Sequence, residues 1–473
     1  MKNQNLKNQN LKRTLLTLCL LLLSLPSLTL IGFAQTPPLV FIPGSRPVQP
    51  PLVFRPIYGS SGPGAQGIQG VPGIPGSQGI PGSQGVPGPA GTSAAGIAGI
   101  ISSLPGFGLT VAKGDGTTDD TAALSAMFST AQTSMVPVLF QSGVYNITAP
   151  LLLCRPTPGE IAHGFVGNIQ PGFILRGLTG AAIQPIATTG NMIRMTGTGQ
   201  DAVLQLGQGS VYQSLIENIA LDGGTGGTAN GIHSLYDNWS MLSLVNTRIS
   251  SVGWDVWIDG ASGGGNGEQF NAYNCNLSGR VGCYKNTSPL GQALIHTLTA
   301  CAGGTDNGGT LFYMDDGQLN VFGWSSTQGA GAAANVFLRL GLGLSGRCNF
   351  NGGRCERVDT LISWAGGSLG QTGGVTIEGI DFAGMSGTKP LLSGGGTNCN
   401  YRFVVKHCSF GTQGQIAGPL ILAINGGGFE QITFEDCDFN GWGGGYAQLS
   451  GNSHVTLVRC RYQDNTTLMM HAL

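Results

Sequence analysis

Residues 403–410 read Phe-Val-Val-Lys-His-Cys-Ser-Phe, residues 432–439 read Ile-Thr-Phe-Glu-Asp-Cys-Asp-Phe, and residues 455–462 read Val-Thr-Leu-Val-Arg-Cys-Arg-Tyr. Each segment has apolar side chains at its first, third, sixth and eighth positions. Apolar residues two apart are typical of a β-strand with one buried face. Each segment therefore predicts two short strands, separated by a turn between its third and sixth positions.

The same unit recurs along the second half of the chain. Its third apolar position serves as a marker, and successive markers are 28, 28, 24, 25, 31, 25, 28, 29 and 23 residues apart. A coil of three short strands and three turns needs roughly 20–30 residues, so this period predicts a parallel β-helix. A β-sandwich is the alternative. The markers are Ile219, Thr247, Cys275, Thr299, Trp324, Cys355, Ile380, Cys408, Cys437 and Cys460.

Three asparagines strengthen the β-helix interpretation. Asn218, Asn246 and Asn274 directly precede three successive markers. Asparagine tolerates a left-handed backbone, and its amide group both donates and accepts hydrogen bonds. Stacked coils would therefore place these three side chains in one hydrogen-bonded ladder at the turn.

Composition excludes several classes of protein. The chain has 473 residues, of which 81 are glycine, and it carries 22 basic and 23 acidic residues for a net charge of −1. No overall basic field exists to attract nucleic acid. Because 41% of the residues are hydrophobic, the chain is not a highly charged disordered protein. Glycine at this density disfavours helices.

One helix is nevertheless predicted, over residues 119–132. The stretch Ala112-Lys-Gly-Asp-Gly-Thr-Thr-Asp-Asp-Thr-Ala-Ala-Leu124 supplies Thr118 or Asp119 as its N-cap. Strands are expected to follow at Val136 to Phe140 and at Gly143 to Ile147. The apolar face at helical spacing comprises Ala122, Ala123, Ala126 and Met127.

This motif, with the later stretch Ser214-Leu-Ile-Glu-Asn-Ile-Ala-Leu-Asp-Gly223, resembles the pectate-lyase-like superfamily. The resemblance covers about residues 104–473. It implies an all-β fold, a right-handed single-stranded parallel β-helix with an N-terminal capping helix. It also implies work on carbohydrates, without fixing the reaction.

Residues 1–34 are interpreted as a secretory signal peptide. Lys2, Lys7, Lys12 and Arg13 precede a leucine run from Leu15 to Leu25, and Gly32-Phe-Ala34 offers a cleavage site. We expect export, cleavage after Ala34, and a secreted or cell-surface protein. The alternative is an uncleaved anchor over Leu15–Ala34. Nothing later is apolar enough to insert into a membrane.

A proline-rich linker at residues 35–63 leads to a collagen-like stalk at residues 64–93. From Gly64 to Gly91 every third residue is glycine, as the crowded axis of a collagen triple helix requires. Three chains are needed for that helix, so we predict a homotrimer. A merely flexible linker is the alternative.

Ten cysteines follow the signal segment, and several of them occupy apolar markers. A buried thiol behaves as a small hydrophobe, so we expect an interior stack of mostly free cysteines. Pairing of Cys408 with Cys437, or of Cys437 with Cys460, stays open. Neither the cysteines nor the six histidines show the spacing of a metal site.

A candidate substrate-binding row lies on the strand that follows each marker. On five successive coils the outward residues are predicted to be His233, Trp257, Lys285, Asp315 and Arg339. Flat rings and mixed charges suit a sugar chain, and Lys285, Asp315 and Arg339 suit an acidic sugar. The alternative is a solvated sheet face with ordinary cross-coil pairs.

The candidate catalytic residues are Asp315 and Asp316. Inverting hydrolysis of a glycosidic bond needs one acid and one base. The resemblance implies further motifs for a hydrolase, yet Asn286-Thr287 is followed by Ser288 where aspartate would stand. Glu356 and Asp381 are another candidate carboxylate pair. No cofactor is expected, although a lyase would require calcium.

The leading hypothesis is a secreted, trimeric β-helix that binds a polysaccharide and cleaves it by lyase or glycoside hydrolase chemistry if the acids are catalytic. The alternative is a structural or adhesive surface protein whose β-helix is a rigid rod. A viral-type tail fibre is a third reading, which the signal peptide disfavours.

Overall fold

The computed structural model describes the ranges 100–101, 109–134, 136–153, 170–179, 190–206, 211–224, 227–234, 241–259, 269–287, 295–306, 308–315, 317–327, 335–341, 347–364, 374–385, 389–396, 401–416, 421–425, 430–442, 447–449 and 454–463. The predicted signal segment 1–34, linker 35–63 and stalk 64–93 lie outside these residues. Across the described ranges, no helix combines the length and the apolarity needed to cross a membrane.

The Gly-Asp-Gly-Thr-Thr-Asp-Asp-Thr motif forms a hydrogen-bonded loop. Asp115 Oδ1 accepts hydrogen bonds from the backbone N–H groups of Thr118, at 2.7 Å, and Thr117, at 2.9 Å. These bonds hold the pKa of Asp115 well below its ordinary value. The Asp120 carboxylate accepts two further backbone N–H groups at 2.7 and 2.9 Å. The acids of the motif therefore fix the loop that leads into the helix.

Helix α1 spans Thr121–Ser134, two residues later than predicted. Asp119 Oδ1 accepts the backbone N–H of Thr121 at 3.0 Å, whereas the Thr118 hydroxyl donates to Asp115. Asp119 is thus the capping side chain, and Thr118 is not.

The buried face of α1 differs from the prediction. Ala122 is exposed, because the helix turns its larger side chains towards the neighbouring strands Leu151–Leu153 and Val138–Phe140. The strand Val138–Phe140 begins two residues after the predicted start at Val136. The buried residues are Ala123, Leu124, Met127, Phe128 and Ala131.

The remaining strands wind into a parallel β-helix with three faces, which confirms the predicted all-β architecture and excludes the β-sandwich. Among the described residues, faces 1 and 2 form a 23-stranded sheet and face 3 an 11-stranded sheet. Gln170–Pro171 and Val211–Tyr212 form a separate parallel pair.

The strands of face 1 are Ile100–Ile101, Val138–Phe140, Ile174–Gly177, Ser214–Glu217, Met241–Val245, Gln269–Tyr273, Ile295–Thr299, Tyr401–Lys406, Glu430–Glu435 and His454–Val458. The strands of face 2 are Asp115–Asp119, Gly143–Ile147, Asn191–Met195, Ala220–Asp222, Arg248–Ser250, Asn276–Ser278, Ala302–Gly303, Ser409–Ile416, Asp438–Trp442 and Arg461–Gln463. Three strands run through both faces, namely Gln318–Thr327, Arg347–Glu356 and Gly374–Met385. The strands of face 3 are Leu151–Leu153, Ala202–Leu206, Asn230–Ser234, Trp254–Ile258, Gly282–Asn286, Thr310–Met314, Val336–Leu340, Thr360–Trp364, Leu392–Gly396, Ile421–Asn425 and Ala447–Leu449.

A left-handed residue makes the turn from face 1 to face 2 in successive coils. Asn218, Asn246 and Asn274 have φ values of 57°, 48° and 51°. Asn246 Nδ2 donates to Asn218 Oδ1 at 3.2 Å, and Asn274 Nδ2 donates to Asn246 Oδ1 at 2.7 Å. The predicted asparagine ladder is confirmed.

Two of the ten predicted markers are wrong. The residue after the turn is Cys301 rather than Thr299, and Gly353 rather than Cys355, because the left-handed residues there are Ala300 and Gly352. Thr299 is in register with Tyr273 on the outer side of face 1. Cys355 is still buried, two positions further along its strand.

The interior is filled by aromatic rings and thiols. The Phe312 ring lies 4.9 Å from Trp324 and 5.2 Å from Phe350 between centroids. Burial raises the pKa of the Cys348 and Cys355 thiols to about 12, so both stay protonated. The eight cysteines in the described part of the chain carry free thiols, and all but Cys460 are buried.

One carboxyl group lies inside this apolar core. Asp255 is the second residue of its face-3 strand and is fully buried. Its Oδ2 accepts the backbone N–H of Gly279 at 2.8 Å. Burial raises its pKa well above the ordinary value, and the bonds from Gly279 and Cys283 only partly oppose that shift. Burial therefore favours the protonated form of Asp255.

Candidate functional site

The strands of face 3 align one side chain per coil in a column on the outer surface. In Trp254–Ile258 and its neighbours, the third and fifth residues are buried and the fourth is less buried. The second residue of each strand is buried as well, and it has no partner in the pairing register between neighbouring strands. His233, Trp257, Lys285, Tyr313, Arg339 are in register at the fourth position, and we name them the face-3 column.

Four of the five predicted row residues therefore lie together, and the fifth is wrong. Tyr313, not Asp315, occupies the row. Asp315 follows the end of its strand, where its backbone N–H donates to the carbonyl of Asn286 at 2.8 Å. Alternation by itself does not distinguish Tyr313 from Asp315, which are two residues apart. The pairing register selects Tyr313, which lies opposite Lys285. Asp316 lies outside the described residues.

His233 is held between two carboxylates at one end of the column. Its Nδ1 lies 2.6 Å from Asp201 Oδ2, and its Nε2 lies 3.5 Å from Asp259 Oδ2. The imidazole is 3% exposed, so it is a fixed element of the site and offers little surface of its own. Gln205 Nε2 also donates to Asp201 Oδ2, at 3.0 Å.

Trp257 is fixed on both ring faces and at its edge. Its ring stacks on His233 with centroids 4.3 Å apart and planes 15° from parallel. Lys285 Nζ lies 3.5 Å from its centroid. Trp257 Nε1 donates to Thr287 Oγ1 at 2.8 Å, and Thr287 Oγ1 donates to Asp259 Oδ1 at 3.0 Å. The faces of Trp257 are therefore occupied, and it is not the stacking platform that the sequence suggested.

Lys285 lies in a box of aromatic rings. Besides Trp257, its Nζ is 5.7 Å from the Trp254 ring and 5.8 Å from the Tyr313 ring. Trp254 fits because the next strand has Gly282 beneath it, where a Cβ would lie 2.0 Å from the indole. Burial lowers the pKa of Lys285, although the charges of Asp259 and Asp315 oppose this shift.

Tyr313 and Asp315 meet at the other end of the column. The Asp315 carboxylate lies over Gly341, where a Cβ would meet Asp315 Oδ1 at 1.2 Å and the Tyr313 hydroxyl at 3.1 Å. Burial, followed by the charge and hydrogen bond of Asp315, raises the pKa of Tyr313, while Arg339 lowers it. The Arg339 guanidinium carbon is 5.7 Å from the Tyr313 ring.

The column thus presents the tips of an ammonium, a phenol and a guanidinium, flanked by carboxylates. At about 4.8 Å per coil, its five residues extend over about 20 Å. Such a row can bind a chain that carries hydroxyl and carboxylate groups through charge-assisted hydrogen bonds.

The second predicted carboxylate pair does not form a reactive site. Arg354 bridges its two members, with Nη2 at 3.1 Å from Glu356 Oε1 and Nε at 3.7 Å from Asp381 Oδ2. Asp381 Oδ1 also accepts the Ser409 hydroxyl at 2.5 Å. The two acids are members of an exposed charge network on face 2.

Sequence reasoning missed several residues of the site. Tyr313 carries a usable signal, since 28 residues separate Trp257 from Lys285 and another 28 separate Lys285 from Tyr313. The other missed residues are brought in by turns and by neighbouring coils, which no fixed spacing indicates. They are Asp201, Trp254, Asp259, Thr287 and Gly341.

In the described part of the chain, no three His, Cys, Asp or Glu side chains are grouped to hold a metal ion.

Comparisons with known proteins find only distant likenesses. No family model matches the chain, and no curated protein matches it. Among solved structures it is similar to the Agl-KA catalytic domain, with 13% identity, a TM-score of 0.39, and coverage of 73% of this chain and 62% of that domain. The chain thus spans less than two thirds of that structure.

Two further solved structures are similar at the same level. The A-module of the mannuronan C-5 epimerase AlgE6 of Azotobacter vinelandii is 10% identical, with a TM-score of 0.41, over 74% of this chain and 97% of that module. PfbA, a surface adhesin of Streptococcus pneumoniae, is 10% identical, with a TM-score of 0.35, over 74% of this chain and 91% of the adhesin. Likenesses this distant assign no activity to the chain.

Proposed function

We propose that this protein is exported and binds an acidic polysaccharide along the face-3 column. The observation that carries the proposal is the in-register placement of Lys285, Tyr313 and Arg339. Lys285 and Arg339 lie one coil before and one coil after Tyr313. The spacing of about 4.8 Å per coil suits successive polar groups of one extended polysaccharide chain. The rings beneath Lys285 hold its ammonium in place before the ligand arrives, which reduces the ordering cost of binding.

The proposal includes the display of the β-helix. The signal peptide at 1–34 would export the chain, and the stalk at 64–93 would join three copies and carry their β-helices away from the surface. A trimer would bind a long polysaccharide through several columns at once, and linked sites bind more strongly than each site alone.

Binding is tested with the purified mature chain and a panel of polysaccharides in affinity electrophoresis. Alginate, polygalacturonate and hyaluronan are the acidic probes, and dextran is a neutral one. We expect retardation by at least one acidic polysaccharide, weakened by salt because charges are screened. If no acidic probe retards the protein, the rigid-rod alternative is favoured.

A second candidate function is hydrolysis of the bound chain. Asp259 and Asp315 directly follow face-3 strands that are two coils apart, a backbone separation of about 10 Å. The two carboxyl groups of inverting glycosidases are roughly 6.5–9.5 Å apart. Both charges act on Lys285 between them. For hydrolysis Asp315 would first take up a proton, which it would give to the leaving oxygen as the glycosidic bond breaks. Asp259 would stay ionised and take a proton from the water whose oxygen bonds to the anomeric carbon.

Asp315→Asn tests this candidate. The substitution keeps the size of the side chain but removes the transferable proton, so the release of new reducing ends should fall more than about 100-fold. Binding should weaken far less. Thr327→Ala, on face 2, serves as the control. Wild-type protein that binds a polysaccharide but releases no ends from it would exclude hydrolysis.

A further inference from the structure

Face 1 carries an outer surface unlike the face-3 column. Three neighbouring strands, Gln269–Tyr273, Ile295–Thr299 and Gln318–Thr327, are paired in register there. Their first, third and fifth residues point outward, and none is charged. These nine residues are Gln269, Asn271, Tyr273, Ile295, Thr297, Thr299, Gln318, Asn320 and Phe322.

Two aromatic side chains on this surface are exposed to solvent. Tyr273 is 56% exposed and Phe322 is 44% exposed. Thr299 lies between them in the same register, so the rings are two coils apart, or about 10 Å. The turn residues after Thr299 and Phe322 are the small Ala300 and Gly323, whereas Tyr273 is followed by Asn274, the last member of the asparagine ladder.

A line of amide and hydroxyl groups runs parallel to the rings. Asn271, Thr297, Asn320 and Asn349 are in register on successive coils. Asn349 Nδ2 donates to Asn320 Oδ1 at 2.9 Å, which orients both amides. Uncharged donors and acceptors are therefore aligned along the coil axis, next to the exposed rings of Tyr273 and Phe322.

We propose that this surface is a second polysaccharide-binding site, specific for an uncharged polysaccharide. The apolar C–H face of a sugar ring can stack on Tyr273 and on Phe322, and its hydroxyls can bond the amide line. No outward residue of the three strands is charged. An anionic polysaccharide therefore forms no ion pair here, and a neutral polysaccharide binds without removing water from any charged side chain.

The inference does not depend on the function proposed for face 3, since the two surfaces belong to different sheets. On face 3 the ring faces of Trp257 are covered by His233 and Lys285. On face 1 the rings of Tyr273 and Phe322 are exposed to solvent. Stacking is therefore assigned to face 1 and ionic recognition to face 3.

The test uses the double variant Tyr273→Ala/Phe322→Ala in the full mature chain. The neutral probes are hydroxyethyl cellulose, laminarin, galactomannan and dextran, and an acidic probe is measured in parallel. Leu178→Ala removes an equally exposed apolar side chain outside the surface and is the matched control. Circular dichroism and the thermal midpoint check folding, which surface substitutions change little.

We expect wild-type protein to bind at least one neutral probe, and the double variant to bind it at least tenfold more weakly. Binding of the acidic probe should not change. The opposite pattern is expected for Lys285→Met, so failure of one site is distinguished from failure of the other. Absence of binding to every neutral probe, or unchanged binding by the double variant, would overturn the inference. A sedimentation coefficient of the double variant that differs from the wild-type value would also overturn the inference, because it would show that this surface packs against another copy of the chain.

Discussion

Lys285→Met is expected to weaken binding of an acidic polysaccharide to the face-3 column more than tenfold. The substitution keeps the apolar stem over Trp257 but removes the ammonium that lies 3.5 Å from its ring. A charge-assisted hydrogen bond contributes about 1.5–3 kcal/mol, and about 1.4 kcal/mol is already a factor of ten in affinity. Isothermal titration calorimetry with the polysaccharide that binds best measures the change.

The control for this prediction is Lys285→Arg, which retains the charge. Burial lowers the pKa of Lys285, so wild-type binding should decline as the pH rises through that lowered value. The arginine variant should keep its affinity to higher pH, since guanidinium does not titrate there. An affinity of Lys285→Met equal to that of the wild type would exclude the column as the ionic site.

Asp255→Asn is expected to stabilise the protein at neutral pH. Burial raises the pKa of Asp255, so the folded protein must hold a proton that the unfolded chain releases above about pH 4. This cost is absent below the unfolded pKa, grows as the pH rises, and becomes constant above the folded pKa. A shift of only one unit corresponds to about 1.4 kcal/mol. The asparagine amide retains an acceptor for the Gly279 N–H.

The measurement is the thermal midpoint of both proteins from pH 4 to pH 8 at one scan rate. The two midpoints should converge near pH 4 and separate by several degrees at pH 7. Asp255→Ala is the matched control and should destabilise, because it leaves the backbone N–H of Gly279 without its acceptor. A constant difference between wild type and Asp255→Asn at all pH values would show that Asp255 is not the titrating group.

The repeated apolar spacing was enough to predict the coils, because the side chains of a strand alternate and each coil repeats the last. The asparagines at 218, 246 and 274 located the turn for the same reason. The prediction went wrong where a coil departs from the average. The turns at Ala300 and Gly352 put the markers at Cys301 and Gly353, whereas the prediction placed them two residues away, at Thr299 and Cys355.

The column shows the same limit on face 3. His233, Trp257, Lys285 and Arg339 were predicted because each strand reads alike. Tyr313 and Asp315 are two residues apart, so alternation did not separate them, and only the pairing register places Tyr313 opposite Lys285. The sequence also indicated that Trp257 would stack on sugar. Only the stacked coils show that His233 and Lys285 cover its two ring faces.

The amino-acid pattern was sufficient to predict the parallel β-helix, its turn ladder and most of one outward column, since these follow from periods of two and of roughly 20–30 residues. Three features became visible only in the folded chain: which carboxylates lie beside His233 and Lys285, the burial of Asp255, and the exposure of the Tyr273 and Phe322 rings on face 1. Each of these features depends on residues about one coil apart in sequence, which meet only when neighbouring coils stack.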